Sequence, residues 1–198
     1  TITGIMFDGA NLATRAIEAD YAAHVSILKN KIRRVATGIK MIGYGIARIR
    51  DNVIKATTCI DFGEGGGDSE ISTNDFYPLT NGKAVYFGKL CGNTVVDSNT
   101  ISGEGETNVL GVQIDGTAFL STDTIRDVRV TNNEFSGMLT AVYAQRHSGG
   151  RNVYGILVEG NHVTPSSGGG VHTGALVSFN GVDDATVMGI RINGLSQT

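Results

Sequence analysis

Seven positions along this 198-residue chain share one local frame, and few architectures satisfy it. Asp8, Asn30, Asn52, Asn99, Asn133, Asn161 and Asn193 each follow an aliphatic residue by three: Ile5, Ile27, Ile49, Val96, Val130, Val158 and Ile190. Two positions after them come Ala10, Ile32, Ile54, Ile101, Phe135, Val163 and Leu195. Five before them come Thr3, Val25, Ala47, Thr94, Val128, Ile156 and Met188. A strand-like unit repeated in this way describes a β-solenoid, in which each coil buries its apolar columns only against its neighbours. The first two intervals (8 to 30, 30 to 52) are equal, and the later ones (52 to 99, 99 to 133, 133 to 161, 161 to 193) are longer and unequal. Coils with one cross-section and variable loops have that spacing.

A second apolar frame lies between the asparagines. Ile17, Ile39, Val85, Val112, Val142 and Leu176 are followed two positions on by Ala19, Met41, Phe87, Ile114, Ala144 and Ser178. That alternation is the period of a half-buried strand. A short third strand starts at the apolar residue after each Asn. The Asn has two physical reasons. It tolerates left-handed backbone at a sharp bend, and stacked at the strand spacing its amide can form a hydrogen-bonded ladder.

This pattern resembles the right-handed parallel β-helix of the pectate lyase-like superfamily, over nearly the whole chain and through the coil pattern rather than a catalytic motif. The resemblance implies that the Asn frame marks second strands and that the series from Ile17 marks first strands, which line the substrate groove. It also implies action on acidic or complex polysaccharides. The Gly-rich, Trp-free, Pro-poor composition (28 Gly, no Trp, 2 Pro) is similar to that of bacteriophage tailspikes, a branch of homotrimers that bind or cleave glycans.

Net charge is −3 and the isoelectric point about 5.8, which argues against a nucleic-acid partner. No run of 18 apolar residues occurs, so membrane insertion is not expected. Cys59 and Cys91 lack metal or redox spacing and read as free thiols in a long loop and at a coil corner. His24, His147, His162 and His172 have no metal spacing either, and the Gly-rich turn at 168–174 lacks the Lys of a phosphate loop. The expectation is therefore no metal and no cofactor. The chain starts and stops inside coil frames with no cap, which reads as one β-helix domain over 1–198 cut from a longer chain.

On such scaffolds function sits in the insertions. The longest runs from Lys55 to Lys83 and holds Asp61, Glu64, Asp68, Glu70 and Asp75; the next coil adds Glu104 and Glu106. Alternation turns Glu18, Lys40, Tyr86, Gln113, Tyr143 and Val177 outward on the first-strand sheet, with Asp20, Ile42, Gly88, Asp115, Gln145 and Phe179 beside them. Aromatic faces, amides and carboxylates suit a sugar surface. The expected substrate-binding residues are Tyr86, Gln113, Tyr143, Gln145 and Lys40. The expected catalytic carboxyls are Asp115, Glu104 and Glu106, since a glycosidase needs two. The resemblance also implies a weaker alternative, a lyase combining Ca²⁺ with Arg146 (beside His147) or Lys40 as base; no Asp cluster lines successive first strands to support it. Arg48, Arg50, Arg129 and Arg191 are read on the outward second-strand face.

These readings combine into an all-β, right-handed parallel β-helix of about six coils. The expected role is that of a tailspike-like protein on a virion tail or outside the cell, homotrimeric, binding a bacterial surface polysaccharide and cleaving it, by hydrolysis rather than elimination. The rival expectation is a non-catalytic shaft or adhesin segment.

Overall fold

A computed structural model describes residues 1–43, 45–117, 124–148, 152–164 and 176–192. Every described strand pairing is parallel, and the coils wind through about seven turns of a right-handed β-solenoid. Three apolar stacks fill the interior. Second strands align Ile2, Ile27, Ile49, Ile71, Val96, Val130, Val158 and Val187. Third strands align Phe7, Ile32, Ile54, Phe76, Ile101, Phe135, Val163 and Ile192. First strands align Ile17, Ile39, Ile60, Val85, Val112, Val142 and Val177. The rings of Phe62 and Phe87 stack in the middle, centroids 5.3 Å apart. Each stacked side chain repeats at the strand spacing of ~4.8 Å, so most of the interior is fully buried.

The asparagine ladder is present and longer in the middle than the sequence frame suggests. Asn30, Asn52, Asn74, Asn99, Asn133 and Asn161 are buried and linked from side chain to side chain at 2.9–3.0 Å. Each Oδ1 from Asn52 to Asn161 accepts the backbone N–H and the Nδ2 of the preceding Asn. Each Nδ2 also donates back to the carbonyl of the second-strand residue one coil earlier, as Asn74 does to Ile49. The left-handed backbone is not at the Asn, contrary to the sequence expectation. It is at the residue before: Lys29, Asp51, Thr73, Ser98, Asn132 and Gly160, with φ between 52° and 65°. The asparagine is selected by the ladder, and the bend is made by its neighbour.

Asn74 corrects the largest misreading. The stretch from Lys55 to Lys83 is a complete coil, not an insertion. Val53–Gly66 supplies the third and first strands, Glu70–Ser72 the second, and Asp75 opens the next. The long interval from 52 to 99 thereby splits at 74 into two of ordinary coil length. Cys59 accordingly lies in a buried strand rather than a loop.

Both end frames shift by three. At the start Ile2 joins the second-strand stack and Ile5 occupies the ladder position, where its N–H donates to Asn30 Oδ1. At the far end Val187 joins the stack, and the turn places Ile190 in the ladder position. Asp8 instead accepts from Arg33 and Arg34, so neither it nor Ile190 plays its expected part. Asn193, Leu195 and the turn at 168–174 lie outside the described residues. In the last first strand Val177, not Leu176, faces inward, so Ser178 and Asn180 face out in place of Val177 and Phe179. Arg191 belongs to a third strand, beside His162.

Candidate functional site

The outward first-strand face is built by register. Glu18, Lys40, Asp61, Tyr86, Gln113, Tyr143 and Ser178 form one row across seven strands. Arg15, Thr37, Thr58, Lys83, Leu110 and Thr140 form the row before it. Beyond the main row lie Asp20 and Ile42 at one end and Asp115, Gln145 and Asn180 at the other.

The middle of this face is the least ordinary part of the molecule. Met41 pairs with Phe62 but Ile42 pairs with Glu64, so Gly63 is the extra residue of a β-bulge. On its other side the flanking pairs Phe62–Phe87 and Glu64–Lys89 set Gly63 opposite Gly88. Bulges re-aim side chains and are frequent beside active sites. Here the Asp61 carboxyl leans over the bulge: a Cβ on Gly63 would meet Asp61 Oδ1 at 3.3 Å and Lys40 Nζ at 3.8 Å. Lys40 Nζ is 3.7 Å from Asp61 Oδ2, while Asp61 Oδ1 is buried without a hydrogen-bond partner. Burial raises the Asp61 carboxyl above the ordinary carboxylate range, against the pull of Lys40, Lys83 and Arg15. Lys83 Nζ lies 4.5 Å from the centroid of the Tyr86 ring, a cation–π contact. Burial lowers the Lys83 ammonium, opposed by Asp115 and Asp61. Burial, then the charges of Asp115 and Asp61, push the Tyr86 phenol up to about 12.

Four residues of the other half make one polar chain. Tyr143 Oη donates to Gln145 Oε1 at 2.5 Å, and Gln145 Nε2 donates to Asp115 Oδ1 at 2.9 Å. Thr117 adds its N–H at 2.9 Å and its hydroxyl at 2.6 Å to the same oxygen. Beyond Thr117 a cleft of about 410 Å³ is lined by Arg146, His147, Ser148, Asn180 and Gly181. Buried Asn152 braces this end, accepting from His147 N–H and donating to the Gly116 carbonyl.

The sequence-predicted residues thus divide. Lys40, Tyr86, Gln113, Tyr143, Gln145 and Asp115 lie on one face. Glu104 and Glu106 lie at the corner before Leu110–Asp115, at the opposite end of that strand from Asp115. The strand is ~16 Å long at ~3.3 Å per residue, so neither pairs with Asp115. Glu106 accepts from the Thr80 N–H and hydroxyl, tying one coil corner to the previous one. The carboxyls expected to converge from one long loop are instead spread around a coil. Asp61 is on the first-strand face, Glu70 on the second strand with Arg50, and Asp75 on the third. Asp61 was the residue to find: CIDFG has the alternation of AVYFG and sits one coil length after GIKMIG. No cluster of three or more metal-ligating side chains occurs among the described residues.

A family model described as a right handed beta helix region matches residues 15–183. The chain belongs to the right-handed β-helix family. The match runs from the first residue of the Arg15–Asp20 strand of this β-helix protein to the first residue of the Asp183–Met188 strand. No similar protein was found among curated proteins or among solved structures.

Proposed function

We propose that this β-helix protein binds an extended bacterial surface polysaccharide along its first-strand face and hydrolyses it, as a tailspike-type protein of a virion tail or extracellular fibre. The observation that supports this most is the unbroken row from Lys40 through Asp61, Tyr86 and Gln113 to Tyr143, with Asp115 and Gln145 beside it. Tyr86 and Tyr143 are half-buried and offer flat apolar faces, and the amides between them offer donors and acceptors to hydroxyls. Successive residues of the row repeat at ~4.8 Å, a spacing that presents several contacts to one linear polymer. The test is incubation of the protein with purified capsular and O-antigen polysaccharides, following binding by affinity electrophoresis and cleavage by new reducing ends. Binding with reducing-end release supports the proposal. Neither binding nor release across a broad panel overturns it.

The second reading, a non-catalytic shaft or adhesin segment, is favoured by the ladder and three stacks, which support the coils without any site. It predicts binding without release, or neither. Homotrimeric assembly belongs to the same proposal. The outward second-strand face carries Arg48, Glu70, Val95, Arg129 and Leu157 in one row, a mixture of charge and apolar surface suited to lateral contact. A stable interface buries more than ~1,200 Å² in total. Light scattering decides it, and a concentration-independent monomer mass excludes the trimer.

A further inference from the structure

We propose that the third-strand face at the start of the solenoid is a second binding surface, for phosphomonoester groups carried on a glycan. It lies on a different side of the coils from the first-strand row and does not depend on the function proposed for that row.

A bulge builds the site. Arg33 pairs with Lys55 and Val35 with Ala56, so Arg34 is the extra residue. Strict alternation after buried Ile32 would send Arg34 into the core and Val35 out. The bulge instead leaves Arg33 and Arg34 both exposed and Val35 buried. Arg34 has φ of 57°, left-handed backbone that favours glycine, and such residues cluster at functional sites. Asp8 then sets both guanidiniums. Its Oδ1 accepts from Arg34 Nε at 2.6 Å and from the Ala10 N–H at 3.0 Å. Its Oδ2 accepts from Arg33 Nε at 2.9 Å and from Arg34 Nη2. The hydrogen bond from Arg34, then that from Ala10, holds the Asp8 carboxyl well below the ordinary carboxylate range, so it stays charged. One carboxylate thus orients two guanidiniums, and both Nη atoms of Arg33 and Nη1 of Arg34 have no protein partner among the described residues.

Two lysines complete the cationic part. Lys55 lies beside Arg33 on the next strand, ~4.8 Å away, and Lys31 lies two residues before Arg33, ~6.6 Å away. Both are exposed, and neither makes an ion pair among the described residues. The strand after Lys55 adds exposed Tyr77 in the same row, a flat face for a sugar ring beside the cations. Arg33, Arg34, Lys31 and Lys55 are four cations, facing the two carboxylates of Asp8 and Asp75, and Lys29 and Asp51 at the adjoining corner offset each other. Four minus two leaves a surplus of two positive charges, in a chain whose net charge is −3. A phosphomonoester carries about −1.5 to −2 at neutral pH, which matches that surplus. Guanidinium forks also fit its oxygens two at a time. A single carboxylate would leave half of the surplus uncompensated.

The experiment uses the full chain and three matched dextrans, phosphorylated, carboxymethylated to equal substitution and unmodified, with calorimetry reading affinity. Phosphorylated dextran should bind, more weakly as salt rises, and unmodified dextran should not. Lys31→Gln combined with Lys55→Gln should weaken that binding about tenfold or more with Tm unchanged, since neither lysine is paired within the protein. Arg34→Gly suits the left-handed backbone, so it should keep the fold while lowering affinity as far. The double lysine variant should bind phosphate-free capsular and O-antigen polysaccharides as the unaltered chain does. No binding of phosphorylated dextran, or unchanged affinity in either variant, overturns the assignment and leaves the first-strand proposal standing. Carboxymethyl dextran or an oligo-dT strand binding as tightly as phosphorylated dextran also overturns it. Phosphate-dependent binding by a chain that takes up no capsular or O-antigen glycan supports this site and counts against the first-strand reading.

Discussion

Asn74 offers the sharpest test of the architecture, because the sequence frame missed it and the fold depends on it. Its side chain is fully buried and hydrogen-bonded at both ends of the amide. Nδ2 donates to the Ile49 carbonyl at 2.9 Å, the Ser72 carbonyl at 3.0 Å and Asn99 Oδ1 at 2.9 Å. Oδ1 accepts Asn52 N–H at 3.0 Å and Asn52 Nδ2 at 2.9 Å. Asn74→Ala removes all of these and keeps the backbone bond from Asn74 N–H to Asn99 Oδ1. Most of the bereaved partners keep another bond: Asn52 Nδ2 still reaches the carbonyls of Ile27 and Arg50. The Asn52 N–H does not, and a buried orphan donor costs ~1–3 kcal/mol. The remaining bonds contribute ~1 kcal/mol each at most when one partner is removed, so the expected total is roughly 3–5 kcal/mol. Urea unfolding measures the loss, and hydrogen exchange localises it: the Asn52 amide should lose protection before amides several coils away, because coils couple only to neighbours. A loss below ~1 kcal/mol, the level of an exposed loop substitution, would refute the reasoning and return residues 55–83 to a surface insertion.

Three further outcomes follow from local chemistry. Lys29 is an exposed non-glycine residue with φ of 56°, so Lys29→Gly should stabilise the fold by roughly 0.5–1 kcal/mol in thermal unfolding, the left-handed penalty of ~1–2 kcal/mol less the entropy of a glycine. Cys59 and Cys91 are buried, and burial pushes the Cys59 thiol up to about 12, so both should resist an aromatic disulfide reagent at pH 8 in native protein and react fully in denaturant. Asp61 has a raised carboxyl, so the folded state holds that proton more tightly than the unfolded chain. Stability from this group is complete below the unfolded value near pH ~4 and is lost as pH rises through the folded value. Asp61→Asn should therefore raise Tm at neutral pH, with the gain vanishing below pH ~4; an equal gain at both would refute the sign.

That last expectation joins stability to chemistry. A carboxyl with an unpartnered buried oxygen, held over a bulge between two ammonium groups, costs the fold and is the kind of arrangement kept where a site needs it.

The repeat frame was legible because the coil is a local object. Strand alternation and the Asn position recur over short stretches of chain, and identical surroundings above and below each coil select the same residue types. Legibility failed where a coil met different surroundings. Ser69 replaces the apolar residue five before Asn74, because its hydroxyl donates to the Gly67 carbonyl and accepts from Ala47 N–H; with the glycines before it, the coil imitates a loop. At Ile5 and Ile190 the ladder position holds an aliphatic residue with no side-chain amide, and there the frame slides by three.

What the sequence alone determined is therefore the class of fold, its parallel coils, and the outward row of Lys40, Tyr86, Gln113 and Tyr143, all consequences of short-range periodicity. Tertiary structure alone decided which carboxyls share a face. Glu104, Glu106 and Asp115 are close in sequence, yet one extended strand holds the first two away from the third. Asp61 and Asp115 are far apart in sequence and come onto one face, because two turns of the solenoid return the chain to the same side. Whether a carboxyl is buried or paired there depends on the strands above and below it, and a bulge at Gly63 sets its direction, information that pairing between distant segments supplies and spacing along the chain does not.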